Sequence, residues 1–154
     1  MTQVLHLARE EMKRADHLLY VSLKYTRTVD VIKSLIDRLI SSIDSAIEGM
    51  LENSMELRKI PEVPENLGLR MDLAREIYDD ETVNQMIDFG MYLKMVNRAE
   101  YQRSREFRRH VTMTAHTDTG IVEVNIDVMK EYYMKVKDYL DYCERLIFGE
   151  KELI

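Results

Sequence analysis

The chain has 154 residues, 45% of them hydrophobic and 32% charged, and carries a formal net charge of −6. That balance excludes an intrinsically disordered chain, and the length fits one domain with enough apolar mass for a core. Net acidity excludes a protein that coats nucleic acid over its whole surface, while a local basic patch can still hold a phosphate backbone.

Cys143 is the only cysteine, which rules out an intramolecular disulfide or a cysteine metal cluster and favours a reducing, cytoplasmic setting. The opening stretch Met1-Thr-Gln-Val-Leu-His-Leu-Ala-Arg9 meets charge before a signal-peptide core can develop. No later stretch approaches the ~20 apolar residues of a membrane span. The expectation is a single helical domain over residues 1–154, neither secreted nor in a membrane.

In chain order, Leu5, Ala8, Met12, Ala15, Leu19 and Ser22 recur at spacings of three and four and predict a helix running to about Tyr25. A second stripe, from Val29 through Ile36, Leu39 and Ile43 to Met50, follows at once, with Thr28 as its N-cap. So short a connection implies an antiparallel helical hairpin. Pro61, Pro64 and Gly68 make residues from about Asn53 to Asn66 a loop, followed by a short helix over Leu67 to Tyr78. Asp79-Asp80-Glu81 starts another helix, carrying Val83, Met86, Leu93 and Val96 and free to continue into the arginine-rich segment beyond.

After His110 the period changes. Val111, Met113 and Ala115 alternate with threonines, Asp118-Thr-Gly120 supplies a turn, and Val122, Val124 and Ile126 alternate again, which predicts a β-hairpin near residues 110–126. Two strands alone are marginal in water, so the hairpin must lie on the helices or on a second subunit. Asp127 is the expected cap of a final helix whose stripe runs from Met129 through Tyr133, Val136 and Leu140 to Cys143 and Ile147, with Gly149 ending it. The expected fold is mainly α, an up-and-down bundle with a long N-terminal antiparallel helical hairpin and a small inserted β-hairpin.

The segment Arg103-Ser-Arg-Glu-Phe-Arg-Arg-His110 crowds four arginines and a histidine into eight positions. Guanidinium groups grip phosphate oxygens with paired hydrogen bonds, and an imidazole, with an unperturbed pKa of ~6.5, moves protons at physiological pH. Such a set can cleave RNA without a metal: the ribose 2′-hydroxyl attacks the adjacent phosphate, histidine acts as base or acid, and arginine stabilises the developing charge. Arg103, Arg105 and His110 are the catalytic candidates, with Arg108 and Arg109 binding phosphate or RNA. The competing reading makes the arginines a solvated face paired with Glu100 and Glu106.

This segment resembles the nuclease motif of the HEPN superfamily, an arginine followed after four to six residues by a histidine. Arg105 and His110 have four residues between them, and Arg103 and His110 have six. Arg109 and His116 also satisfy the spacing. The resemblance implies a small helical domain, a homodimer with a composite cleft, and metal-independent endoribonuclease activity, often within toxin and antitoxin or defence systems. It equally implies nonenzymatic RNA-binding relatives. On an ideal helix, at ~100° per residue, Arg103 and His110 share a face while Arg105 and His110 lie about 140° apart, so a pairing with Arg105 requires the helix to end before His110.

A second constellation surrounds the first interhelical turn. His17, Tyr20 and Lys24 share a helical face and are followed by Arg27 and Asp30, titratable and aromatic groups that can line a pocket and stack a base. The alternative has them bordering a helix interface, stems inside and tips in water. Metal chemistry finds no short ligand motif, since His6, Glu10, Asp16 and His17 do not converge in sequence, and no cofactor is expected. The methionines of the later helices, Met86, Met91, Met95 and Met134 among them, suit core packing or an adaptable partner groove. They leave open a noncatalytic homodimer acting as a protein-interaction module.

Overall fold

The computed structural model describes residues 5–152. The first four residues, part of the stretch read above against a leader, lie outside the described residues. Helix α1 is continuous: α-helical over His6–His17, π-helical over Leu18–Ser22 and α-helical again over Leu23–Tyr25. Then come α2 (Val29–Glu56), α3 (Leu67–Tyr78), α4 (Glu81–Arg98), strands β1 (Glu100–Ser104), β2 (Thr112–Thr117) and β3 (Gly120–Val124), and α5 (Ile126–Glu152). The chain is mainly helical, with one antiparallel sheet of strand order β1-β2-β3.

The caps explain most helix starts. Thr28 Oγ1 accepts the Val31 N–H at 3.3 Å, Asn66 Oδ1 accepts the Leu69 N–H at 3.0 Å, and Asp80 Oδ1 accepts the Val83 N–H at 3.0 Å, each satisfying a donor that the first turn leaves open. At α5 the cap is Asn125, whose Oδ1 accepts the Val128 N–H at 2.9 Å, two residues before the expected cap Asp127. The helix also runs through Gly149, which is helical and where an added Cβ would meet nothing within 4 Å; nothing there forces a stop.

Three further expectations are corrected. Helix α2 continues past Asn53 to Glu56 because Asn53 and Ser54 are buried; Ser54 Oγ and the Tyr78 hydroxyl lie 3.0 Å apart, and that hydroxyl donates to the Met50 carbonyl at 2.7 Å. The stripe of α1 ends on buried Leu23 rather than Ser22, since a π-turn carries an extra residue and shifts the buried face by one position. Helix α4 does not enter the arginine segment: Ala99 is extended, at φ −67° and ψ 153°, and the chain becomes β1. The sheet therefore has three strands, with Arg103 paired to Met113 and Ala115 paired to Val122.

Leu35, Ile36 and Leu39 of α2 are fully buried at the heart of a core that draws on all five helices and on Met113, Ala115 and Val124 of the sheet. The sheet thus has one covered face, which meets the stability requirement of so small a β element. Among the described residues no helix is long and apolar enough to cross a membrane.

Candidate nucleic-acid interface

The arginine segment is a strand end followed by a tight loop. Arg105 and Phe107 adopt left-handed backbone conformations, at φ 55° and 66°, each unfavourable for a non-glycine residue by roughly 1–2 kcal/mol. Two contacts offset that cost by fastening the loop to the start of α2 and the turn before it, and a third ties it back to β1. The Phe107 N–H donates to the Arg27 carbonyl at 2.6 Å. Glu106 Oε2 accepts the Val29 N–H at 3.0 Å, where the helix N-terminus favours a carboxylate, and also faces Arg103 at 3.5 Å.

Arg103 is committed to this scaffold. Its guanidinium donates to Asp30 Oδ1 at 2.8 Å and to the Tyr101 hydroxyl at 3.1 Å, and it lies 5.4 Å from the centre of the Tyr101 ring. The hydrogen bond that Arg103 donates to Asp30 raises the guanidinium above its already high ordinary value.

The end of that loop opens onto a cavity of about 340 Å³ lined by Arg27, Arg109, His110, Asp127 and Lys130 together with Asn125 and Ile126. Buried within the protein, Arg27 Nε has no hydrogen-bond partner. A second cavity of about 330 Å³ shares Arg27, Ile126 and Lys130 and adds Leu19, Tyr20, Leu23 and Lys24. Across the two, Lys24, Arg27, Arg109 and Lys130 stand against the single carboxylate of Asp127. An otherwise acidic protein thus concentrates positive potential in one concave place.

The π-turn of α1 borders this groove, supplying Leu19 and Tyr20 from within the turn and Leu23 and Lys24 just after it; π-turns are frequent at functional sites. The Tyr20 ring meets Tyr133 edge-on, centroids 6.0 Å apart at 89°. The Tyr133 hydroxyl donates to Asp16 Oδ2 at 3.0 Å. Burial first, and then that carboxylate, push the phenol up to about 12, so it remains a neutral donor. Tyr133 also lines a third cavity of about 310 Å³ between α1 and α5, with Lys13, Asp16 and Lys137. Arg9, on its edge, is held by Asp141 at 2.7 Å and Glu144 at 2.6 Å.

Two sequence-distant clusters are therefore partly united. Tyr20, Lys24 and Arg27 share the groove with Arg109 and His110. His17 does not; it lines a separate cavity of about 480 Å³ with Glu10, Arg14 and Arg38. Asp30 is taken up by Arg103, and Arg105 and Arg108 are exposed on the loop without lining the groove. Sequence reasoning missed Lys130, although Lys130 and Lys137 lie seven apart on the exposed face of the last helix, a spacing that could have marked a basic stripe. Cys143 is buried, and burial pushes its thiol up to about 12, which makes it core rather than nucleophile. Among the described residues no three His, Cys, Asp or Glu side chains converge as metal ligands.

Compared with protein-family models, with curated proteins and with solved structures, the chain matches none.

Proposed function

We propose that the protein is a HEPN-like RNA-binding protein whose phosphodiester site is the Arg27, Arg109, His110 and Lys130 cavity, with metal-independent endoribonuclease activity as the catalytic form of the same reading. The observation that carries it is the sharing of one cavity by two arginines, a lysine and a histidine, together with the unpartnered Nε of Arg27. Guanidinium groups offer paired donors to anionic oxygens, and the Arg27 Nε keeps a donor that no protein group uses.

In this scheme the 2′-hydroxyl attacks phosphorus, His110 takes or returns the proton, and Arg27 and Arg109 stabilise the charge on the phosphoryl oxygens. The 5′-oxygen leaves, producing a 2′,3′-cyclic phosphate. The resemblance pairs His110 with Arg105 or Arg103. Arg103 is engaged by Asp30 and Arg105 requires the loop to rearrange, so Arg109 takes the arginine's part here.

The up-and-down bundle with an antiparallel N-terminal hairpin belongs to the same proposal. It is supported by the Glu11 to Arg38 pair at 2.9 Å and the Ala8 to Ser42 hydrogen bond at 3.0 Å, positions that advance along one helix as they retreat along the other. A homodimer in the cytoplasm, within a toxin and antitoxin or defence pair, is the setting the reading carries.

Incubating uniformly labelled RNA with the protein in excess chelator tests the catalytic form. Cleavage lost in His110→Ala and Arg109→Ala, and kept in Arg105→Ala, supports it; activity unchanged in His110→Ala removes the site.

A noncatalytic interaction module is the second reading, favoured by the aromatic side chains of Tyr25 and Phe107, which are 78% and 75% exposed. Light scattering of wild type and Phe107→Asp, read beside the cleavage assay, distinguishes it: the module reading expects a dimer that dissociates in the variant and no cleavage by the wild type.

A further inference from the structure

We infer that the groove seats an unpaired nucleobase in the Leu19, Tyr20 and Leu23 cavity while the adjoining phosphate lies in the Arg27, Arg109 and Lys130 cavity, so that the ligand is single-stranded RNA. This rests on the phosphodiester reading above and adds a base subsite to it. The two cavities differ in chemistry but are contiguous, because Arg27, Ile126 and Lys130 border both. One has Leu19, Leu23, Ile126 and the Tyr20 ring on its wall, with Lys24, Arg27 and Lys130 at its border, so that a flat heterocycle finds apolar surface there beside cations. The other sets Arg27, Arg109, Lys130, His110 and Asn125 against the one carboxylate of Asp127, a balance that favours an anion.

Volumes of about 330 and 340 Å³ lie at the small end of ligand pockets, suited to one base and one phosphate rather than to a stretch of duplex. A base paired and stacked in a duplex presents only its edges, whereas an unstacked base can lay its face on an aromatic ring. Tyr20 is 48% exposed, and its edge-on contact with Tyr133 fixes the ring without closing the groove. Lys24 and Arg27 follow it at intervals of four and three along the chain and bring the cations within reach of the sugar-phosphate on either side.

The test uses a 2′-O-methyl oligoribonucleotide of about eight units, which cleavage cannot consume, its fully abasic counterpart, and a hairpin duplex of the same sequence, each titrated against the intact protein by fluorescence anisotropy. The base-bearing strand binds about tenfold more tightly than the abasic strand. Tyr20→Ala erases that difference by weakening only the base-bearing strand, Tyr20→Phe preserves it, and the duplex binds no better than the abasic strand. Equal binding of base-bearing and abasic strands by wild type overturns the base subsite and leaves the phosphate reading standing. Binding of neither strand overturns the phosphate reading on which the subsite rests.

Discussion

The backbone N–H of Phe107 donates to the carbonyl oxygen of Arg27 at 2.6 Å, and through that one hydrogen bond the arginine loop is laid against the turn between the first two helices. Arg109 and His110 follow Phe107 after one intervening residue, and Tyr20 and Lys24 precede Arg27 on the last turns of α1. The bond therefore brings a basic cluster and an aromatic cluster, 80 residues apart in sequence, onto one groove. It joins main-chain atoms, so no side chain in either cluster advertises it.

Glu106 holds the same junction from the other side. Its carboxylate accepts the Val29 N–H and faces Arg103, so Glu106→Ala leaves the α2 N-terminus with one donor fewer satisfied and costs about 1–2 kcal/mol of unfolding free energy in urea. Glu106→Gln keeps the acceptor and retains most of that stability. Equal stability of the alanine variant and wild type contradicts the bracing role.

Helix α4 approaches α2 closely at Gly90. A Cβ there meets Ile43 Cγ2 at 3.0 Å, so Gly90→Ala destabilises by about 1–3 kcal/mol although alanine is the better helix former. Gly149→Ala, with nothing within 4 Å, is neutral or stabilising by up to ~1 kcal/mol. Thermal unfolding of the two variants side by side checks the contrast; a Gly90→Ala midpoint at or above wild type refutes the packing.

Stability falls at alkaline pH. Burial holds the Cys143 thiol and the Tyr133 phenol up near about 12, and it also raises Tyr132, whereas in the unfolded chain a thiol ionises near ~8.5 and a phenol near ~10. Folded groups with raised pKa values bind protons more tightly than unfolded ones. Their contribution is complete below the unfolded values and is lost as pH rises toward the folded ones, at up to about 1.4 kcal/mol per pH unit for each group. Urea unfolding at pH 7 and pH 10 measures the loss. Native Cys143 also resists iodoacetamide at pH 8 and reacts after denaturation; rapid native alkylation contradicts its burial.

Much of the fold was legible because its signals are local. The stripes of α1, α2 and α5, the cap Thr28 and the alternation around Met113 and Ala115 each follow from a few adjacent residues. Strand β1 was not legible, since Glu100-Tyr-Gln-Arg-Ser104 is an edge strand with four of its five residues exposed and so shows no apolar alternation. The π-turn was hidden for another reason: Ser22 and Leu23 are both compatible with the α1 stripe, and only packing decides between them. At the site, Arg27, Arg109 and His110 could each be named from the chain, but not their meeting, nor the arrival of Lys130 from α5.

The most direct test of the groove is an anisotropy titration of the 2′-O-methyl single strand at several salt concentrations, comparing wild type with Arg27→Ala, Arg109→Ala and Lys130→Ala and with the exposed controls Arg98→Ala and Arg145→Ala. Each groove variant should weaken binding about tenfold and flatten the slope of log affinity against log salt by about 0.7, the share of one phosphate contact on a single strand, while both controls match wild type. Groove variants that bind with wild-type affinity and salt slope, or controls that weaken binding equally, would contradict the account.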